Sequence, residues 1–191
     1  FQKVAGTTFD CSWKMGAPDL NVEIYTPPSP FCVNASWNYG IKHLVDAGYD
    51  LISVLNDDLI LENYFFEKLA VASKECQAAV LCPQTARKPE GVQNAFLRQN
   101  LTYSVMSKRE GWAWTIKRDA ARLVPPISDV LKTFCGDDWY WFHIHKNGGM
   151  WMKMIGNIIY HYVGKSGVDA GVMPDLDVER KLFNELIAKA T

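Results

Sequence analysis

The chain has 191 residues, room for one domain of ordinary size. Hydrophobic residues make up 48% and charged ones 21%, which describes a globular protein with a sizeable core and excludes a disordered tail. Twenty basic residues against 21 acidic ones leave a net charge of −1, so no bulk attraction to nucleic acid or an anionic membrane is expected.

The longest apolar runs, such as Ala78 to Cys82, fall far short of the roughly 20 residues a membrane helix needs, so no membrane span is expected. The first residues show no basic start followed by an apolar run and a small-residue cleavage site. Five cysteines (Cys11, Cys32, Cys76, Cys82, Cys135) form no CxxC pair. Reduced thiols in a cytoplasmic, cytosol-like compartment are the simplest expectation. Asn34-Ala35-Ser36 and Asn100-Leu101-Thr102, which match the glycosylation tripeptide, are then chance. Aromatic content is high at 13%, with seven tryptophans. Such side chains fill cores and also stack on bases and sugar rings.

In chain order, Gln2 to Thr7 and Asn21 to Thr26 read as short strands, and Pro27-Pro28-Ser29-Pro30 stops regular structure. Asn34 is placed as the N-cap of a helix reaching about Ala47, ended by Gly48. Tyr49 to Leu55 is a continuous apolar strand of the parallel-sheet kind that runs straight into Asn56-Asp57-Asp58. A helix from about Glu62 to Cys76 and a buried strand from Ala78 to Cys82 follow. Residues 84–110 look loop-rich, Gly111 to Ile116 extended, and a helix begins near Arg118 and closes at Pro125-Pro126. Ser128 to Phe134 reads as helical, then Gly136-Asp137-Asp138 leads into an aromatic helix, Trp139 to His145. Trp151 to Tyr162 is strand-like. In Asp175 to Ala190, Val178, Leu182, Leu186 and Ala190 stand at steps of four with Phe183 and Ile187 beside them, an amphipathic helix packed on this domain or on a following one. The alternation of strand and helix predicts an α/β sheet, whose ligands sit beyond the carboxyl ends of the strands.

Three constellations carry chemistry-bearing residues. Asn56-Asp57-Asp58 stands at a strand end, where carboxylates suit either a hard divalent ion such as Mg²⁺ or Mn²⁺ with a diphosphate, or a cap for the next helix. Asp137 and Asp138 either favour the positive N-terminus of their helix or supply a general base. His161 precedes Gly164-Lys165-Ser166-Gly167, a turn suited to phosphate oxygens, although a lone histidine is more often structural. The first glycine of a P-loop would fall at Ile159, so that motif fails. His43, His143 and His145 are taken as structural.

The order of these elements resembles the inverting, family-2-like glycosyltransferases of the GT-A fold. The resemblance covers about residues 33–167. Ala35-Ser36-Trp37-Asn38-Tyr39-Gly40-Ile41 looks like that family's Ala-x-Asn-x-Gly-Ile helix, and Leu55-Asn56-Asp57-Asp58 like its Asp-x-Asp element. Gly111-Trp112-Ala113 with Arg118 resembles the strand and helix flanking the acceptor site. Gly136-Asp137-Asp138-Trp139 is similar to Gly-Glu-Asp-Trp, and His161-x-x-Gly164-x-Ser166 to a late metal-binding histidine segment. The resemblance implies a mixed, mainly parallel Rossmann-like sheet flanked by helices, in a single GT-A domain. Residues 1–83 would form its nucleotide-binding half, 84–174 its acceptor and catalytic half, and 175–191 a C-terminal helix.

It also implies a metal-dependent enzyme moving a hexosyl or deoxyhexosyl group from a UDP-sugar to an acceptor hydroxyl on a glycan or glycoprotein. Asp58 and His161 would bind Mn²⁺ or Mg²⁺. Thr7, Thr8, Phe9, Asn38 and Asp57 would lie along the nucleoside, with Lys165 and Ser166 near the diphosphate. Asp138 would be the catalytic base, Asp137 the alternative, and Gly111 with Trp112 would face the donor or acceptor sugar. The chain departs from the family pattern at Tyr25-Thr26-Pro27, where an aspartate usually ends the second strand, and at Trp37, where a basic residue is common. Two other functions compete: a sugar-1-phosphate nucleotidyltransferase, whose glycine- and arginine-rich loop is missing from Val4 to Phe9, and a non-catalytic carbohydrate-binding domain stacking sugars on tryptophan.

Overall fold

The structure is a computed structural model that describes residues 32–93, 100–162 and 176–190. The chain divides into two units, residues 1–31 and 32–191, and the described residues all belong to the second. The strands expected at Gln2 to Thr7 and Asn21 to Thr26 therefore lie outside the description. The described elements are α1 (Val33–Asp46), β1 (Leu51–Leu55), β2 (Leu59–Leu61), α2 (Phe65–Glu75), β3 (Val80–Thr85), α3 (Glu90–Gln93), β4 (Thr102–Val105), β5 (Ala113–Lys117), α4 (Arg118–Ala121), α5 (Gly136–Lys146), β6 (Trp151–His161) and α6 (Leu176–Ala190).

The strands lie in the order β1-β5-β3-β6-β2, with β4 also beside β6. Among the described strands only β3 and β6 pair in parallel. The β1–β5, β3–β5, β2–β6 and β4–β6 pairings are all antiparallel. This overturns the expected mainly parallel GT-A sheet. The physical reason is that an apolar run records how deeply a strand is buried and carries no record of its neighbour's direction. In β1, only Ile52 and Val54 are buried, between half-buried Leu51, Ser53 and Leu55.

Alternation along the strands feeds two cores, one on each face of the sheet. On one face Val80, Cys82, Trp114, Ile116 and Trp151 pack with residues of α1, α5 and α6. On the other, Leu81, Ala113, Met154 and Ile159 pack with Phe65, Leu69 and Ala72 of α2. Each such large apolar side chain contributes about 1.5–3 kcal/mol on burial, so both faces are anchored.

Local departures from the sequence reading share one cause: a polar side chain engaged in tertiary contacts. Asn34 is not the cap of α1, which follows Cys32; it is buried inside the first turn and donates from Nδ2 to the carbonyls of Leu131 (3.1 Å) and Phe134 (2.9 Å). Glu62 stays outside α2 because its carboxylate is fully buried, taking the Lys68 ammonium at 2.8 Å and the Ile158 N–H at 2.9 Å. Ser128 to Phe134 forms no helix, since its backbone groups serve α1 and α6 instead. Between residues 84 and 110 the described stretches are loop-rich, as expected, and also hold α3 and β4, with β4 paired to β6 from Thr102↔Ile155 to Val105↔Met152. Among the described residues no helix is long and apolar enough to cross a membrane. Cys32, Cys76, Cys82 and Cys135 are free thiols.

Candidate functional site

Two strand registers assemble the first half of the site. In the β2–β6 ladder Leu59 faces His161, and Tyr162 donates its N–H to the Asp58 carbonyl at 3.1 Å. In the β1–β5 ladder Leu55 faces Ala113, and Asn56 donates its N–H to the Trp112 carbonyl at 2.9 Å. The Asn56-Asp57-Asp58 corner is thus held between Trp112 on one side and His161 on the other. Trp112 and His161 stack, with ring centroids 5.1 Å apart and planes 18° from parallel.

Asp58 Oδ1 stands 3.0 Å from His161 Nε2, and both side chains are largely buried. Yet Oδ1 accepts no aligned hydrogen bond, and His161 Nδ1 has no partner among the described residues. The contact is an ion pair when the imidazole is protonated, and two electron-pair donors this close also fit a shared cation. Metal–ligand bonds of about 2.1 Å at right angles separate two donors by about 3.0 Å. Among the described residues no third histidine, cysteine or acid joins them in a metal-holding group. Two protein ligands suffice for a Mg²⁺-like ion that keeps waters and phosphate oxygens in its remaining positions. The donor set, one carboxylate and one imidazole, suits Mn²⁺ as well.

The second half begins one residue away. Gly111 packs directly on Asp137: a Cβ there would come within 2.9 Å of the carboxyl carbon and of Oδ2. Asp137 is half-buried, and burial raises its pKa above the ordinary carboxylate value, an effect offset in part by the Arg109 guanidinium and by a backbone hydrogen bond. Asp138 is buried, and its Oδ1 is bonded to an Arg109 Nη, while Arg109 Nε lies 4.0 Å from Asp137 Oδ2. Asp58, His161, Trp112, Gly111, Asp137, Arg109 and Asp138 therefore form one chain of successive contacts.

Trp112 is fixed from behind. Its Nε1 donates to Thr85 Oγ1 at 3.2 Å, Thr85 donates to Glu110 Oε2 at 3.2 Å, and Glu110 takes the Lys153 ammonium. Deeper still, burial and the Glu110 carboxylate push the Cys82 thiol far up, which leaves it inert.

Asp137 and Asp138 are presented by a strained loop. Cys135 has φ 62°, the only left-handed non-glycine among the described residues, a conformation that costs roughly 1–3 kcal/mol. The surrounding contacts over-determine it. Asn34 holds the carbonyls of Leu131 and Phe134. Asn38 donates to the Ile127 carbonyl and accepts its N–H, both at 2.8 Å. From α6, the buried Glu179 carboxylate accepts the N–H groups of Lys132 (3.1 Å), Thr133 (3.1 Å) and Phe134 (2.9 Å). No side chain fits at Gly136, which lies against the Asn34 amide and the Trp37 ring.

The expected site residues thus fall into four groups. Asp58, His161, Gly111, Trp112, Asp137 and Asp138 are brought together. Asp57 is exposed at the same corner. Asn38, expected along the nucleoside, has both ends of its amide engaged with the Ile127 backbone, and Arg118 sits at the opposite end of β5 on Asp50 Oδ1 at 2.8 Å. Thr7, Thr8, Phe9, Lys165 and Ser166 lie outside the described residues. Of the histidines set aside, His143 is buried against Trp139, and its pKa is lowered by that burial and by Lys146. Sequence reasoning missed Arg109. The signal was present as Lys108-Arg109-Glu110, a charged run directly before Gly111-Trp112.

No protein-family model matches the chain, and no curated protein does. Among solved structures, the chain in the crystal structure of A197 from STIV is similar, with 16% identity and a TM-score of 0.46 over 69% of this chain and 68% of that one. Likeness at that level assigns neither fold nor activity.

Proposed function

We propose that the protein transfers a sugar from a UDP-sugar to an acceptor hydroxyl on a glycan, with inversion and with dependence on a divalent cation. The observation that supports this most is the meeting of Asp58 and His161 at the strand-end corner, 3.0 Å apart, the spacing of two ligands on one cation. Asp58 and His161 would hold Mn²⁺ or Mg²⁺. When bound, the ion supplies charge neutralisation for the departing diphosphate.

The chain's own residues do the rest. Asp138 Oδ1 is occupied by Arg109, which leaves Oδ2 to accept the acceptor's hydroxyl proton. The freed alkoxide oxygen bonds to the anomeric carbon as the bond to the diphosphate oxygen breaks, and that electron pair leaves with the diphosphate. Asp137 is the alternative base, since its raised pKa makes its carboxylate a better proton acceptor than an ordinary one. Trp112 offers an aromatic face beside His161, suited to the apolar face of a sugar ring.

The test is a panel of nucleotide sugars assayed for nucleotide release with and without Mn²⁺. Release from a UDP-sugar, dependent on Mn²⁺, is expected. In Asp138→Asn, turnover should fall by about 10²–10⁴-fold, the usual contribution of a general base, while UDP binding is retained. Turnover unchanged in that variant would move the role to Asp137 or another group. No release and no binding with any nucleotide diphosphate would reject the transferase.

A further inference from the structure

Two open cavities flank the Arg109–Asp138 pair. One, of about 490 Å³, has Lys108, Arg109 and Arg180 along its wall with Asp137 and Asp138. The other, of about 600 Å³, shares Arg109 and Asp138 and continues along Trp141, Phe142 and Phe183. None of Asp58, Trp112 and His161 lines either cavity, so both lie apart from the corner assigned to the donor's phosphates.

The charges in the smaller cavity do not cancel by pairing. Arg109 is engaged with both aspartates. Lys108 and Arg180 are exposed, and neither forms an ion pair among the described residues. Arg180 does reach this place electrostatically: burial, Asp137 and Glu179 raise the pKa of the Cys135 thiol at the cavity wall, and Arg180 and Arg109 oppose that rise. Two uncommitted cations beside a carboxylate that takes a proton would attract an anion while repelling none of the neutral hydroxyls around it. The aromatic side chains of the larger cavity offer an apolar wall to a sugar ring.

We propose that the acceptor is an anionic saccharide, its carboxylate or phosphate held by Lys108 and Arg180 and its hydroxyl presented to Asp138. This rests on the transferase reading for its catalytic meaning. Binding of the saccharide itself needs neither donor nor metal, so the two can fail separately.

The experiment is an amide chemical-shift titration of the ¹⁵N-labelled full chain with methyl β-D-glucuronide, glucose 6-phosphate, methyl β-D-glucoside, inorganic phosphate and UDP, all without divalent metal. Saturable shifts at Lys108, Arg180 and Asp138 with the glucuronide or the sugar phosphate are expected. The neutral glucoside should bind about tenfold more weakly or worse, a difference of roughly 1.4 kcal/mol. Response to the glucuronide alone would identify a carboxylate, and response to glucose 6-phosphate alone a phosphate. Lys108→Glu with Arg180→Glu should abolish the shifts at Asp138 while the rest of the spectrum stays folded. The proposal would be overturned by equal affinity for the glucoside, by inorganic phosphate binding as tightly as the sugar phosphate, or by UDP shifting Lys108 and Arg180 in place of the saccharides. Saccharide binding that survives the double charge reversal would do the same.

Discussion

Trp112 lies nearly parallel to His161, 5.1 Å between ring centroids, and this stack joins two aspartate motifs far apart in the chain. On one side His161 meets Asp58; on the other, Gly111 carries the same backbone onto Asp137. In the proposed transfer, a donor at the first motif and a base at the second would share one short piece of chain, residues 109–112.

That proximity makes Gly111 sensitive. A methyl group at this position would come within 2.9 Å of the Asp137 carboxyl, so Gly111→Ala must displace the carboxylate. Overpacking costs about 1–3 kcal/mol, and a displacement near 1 Å in a reacting geometry costs about 10²-fold in rate. The expected outcome is a large fall in turnover with UDP affinity unchanged, checked by steady-state kinetics and calorimetry. Normal turnover would show that Asp137 does not need its position.

Asp137 should also leave a mark on the pH dependence of stability. Its folded pKa is raised, chiefly by burial. The native state therefore holds a proton that the unfolded chain releases first, and stability falls as pH rises from the ordinary carboxylate range through the folded value. Asp137→Asn removes that loss. Relative to the wild type, the variant should gain stability on going from pH 3.5 to pH 7, read as a difference in Tm at the two values. A constant difference would mean that Arg109 cancels the effect of burial.

Glu179 offers a test remote from the chemistry. Its carboxylate accepts three successive N–H groups of the loop ahead of Asp137. Hydrogen bonds to charged groups contribute about 1.5–3 kcal/mol each at most contexts, with losses that do not add. Glu179→Gln, which brings an NH₂ toward those donors, should lose about 2 kcal/mol in urea denaturation. Its turnover should drop while UDP binding holds, because in the proposed transfer the loop would place the base and not the donor. Unchanged stability would make α6 a passive cover.

What the sequence disclosed follows physical lines. A continuous apolar run located β1, an aromatic stretch most of α5 and a four-residue apolar repeat α6, because burial leaves a pattern in the chain. The direction of strand pairing leaves none, and the mainly parallel sheet was lost there. The last helix shows the same limit. Leu182, Phe183, Leu186 and Ile187 pack on the core as their spacing predicts, but at the start of the helix Glu179 is buried and Val178 is 52% exposed. A carboxylate whose partners are backbone N–H groups looks like a surface residue until those partners are placed. Asp58, Asp137, Asp138 and His161 were legible as motifs. Arg109 was not, because an arginine in a polar, aperiodic stretch has nothing in its neighbours to mark a distant ion pair.

The most direct measurement is calorimetric titration of UDP into the full chain with Mn²⁺ and, separately, with chelator. Saturable binding with Mn²⁺ should weaken by about tenfold or more, roughly 1.4 kcal/mol, when the ion is removed. Asp58→Ala and His161→Ala should each reproduce that loss, because each takes away one of the two donors at the corner. UDP affinity that is indifferent to the chelator and to both substitutions would contradict a cation between Asp58 and His161.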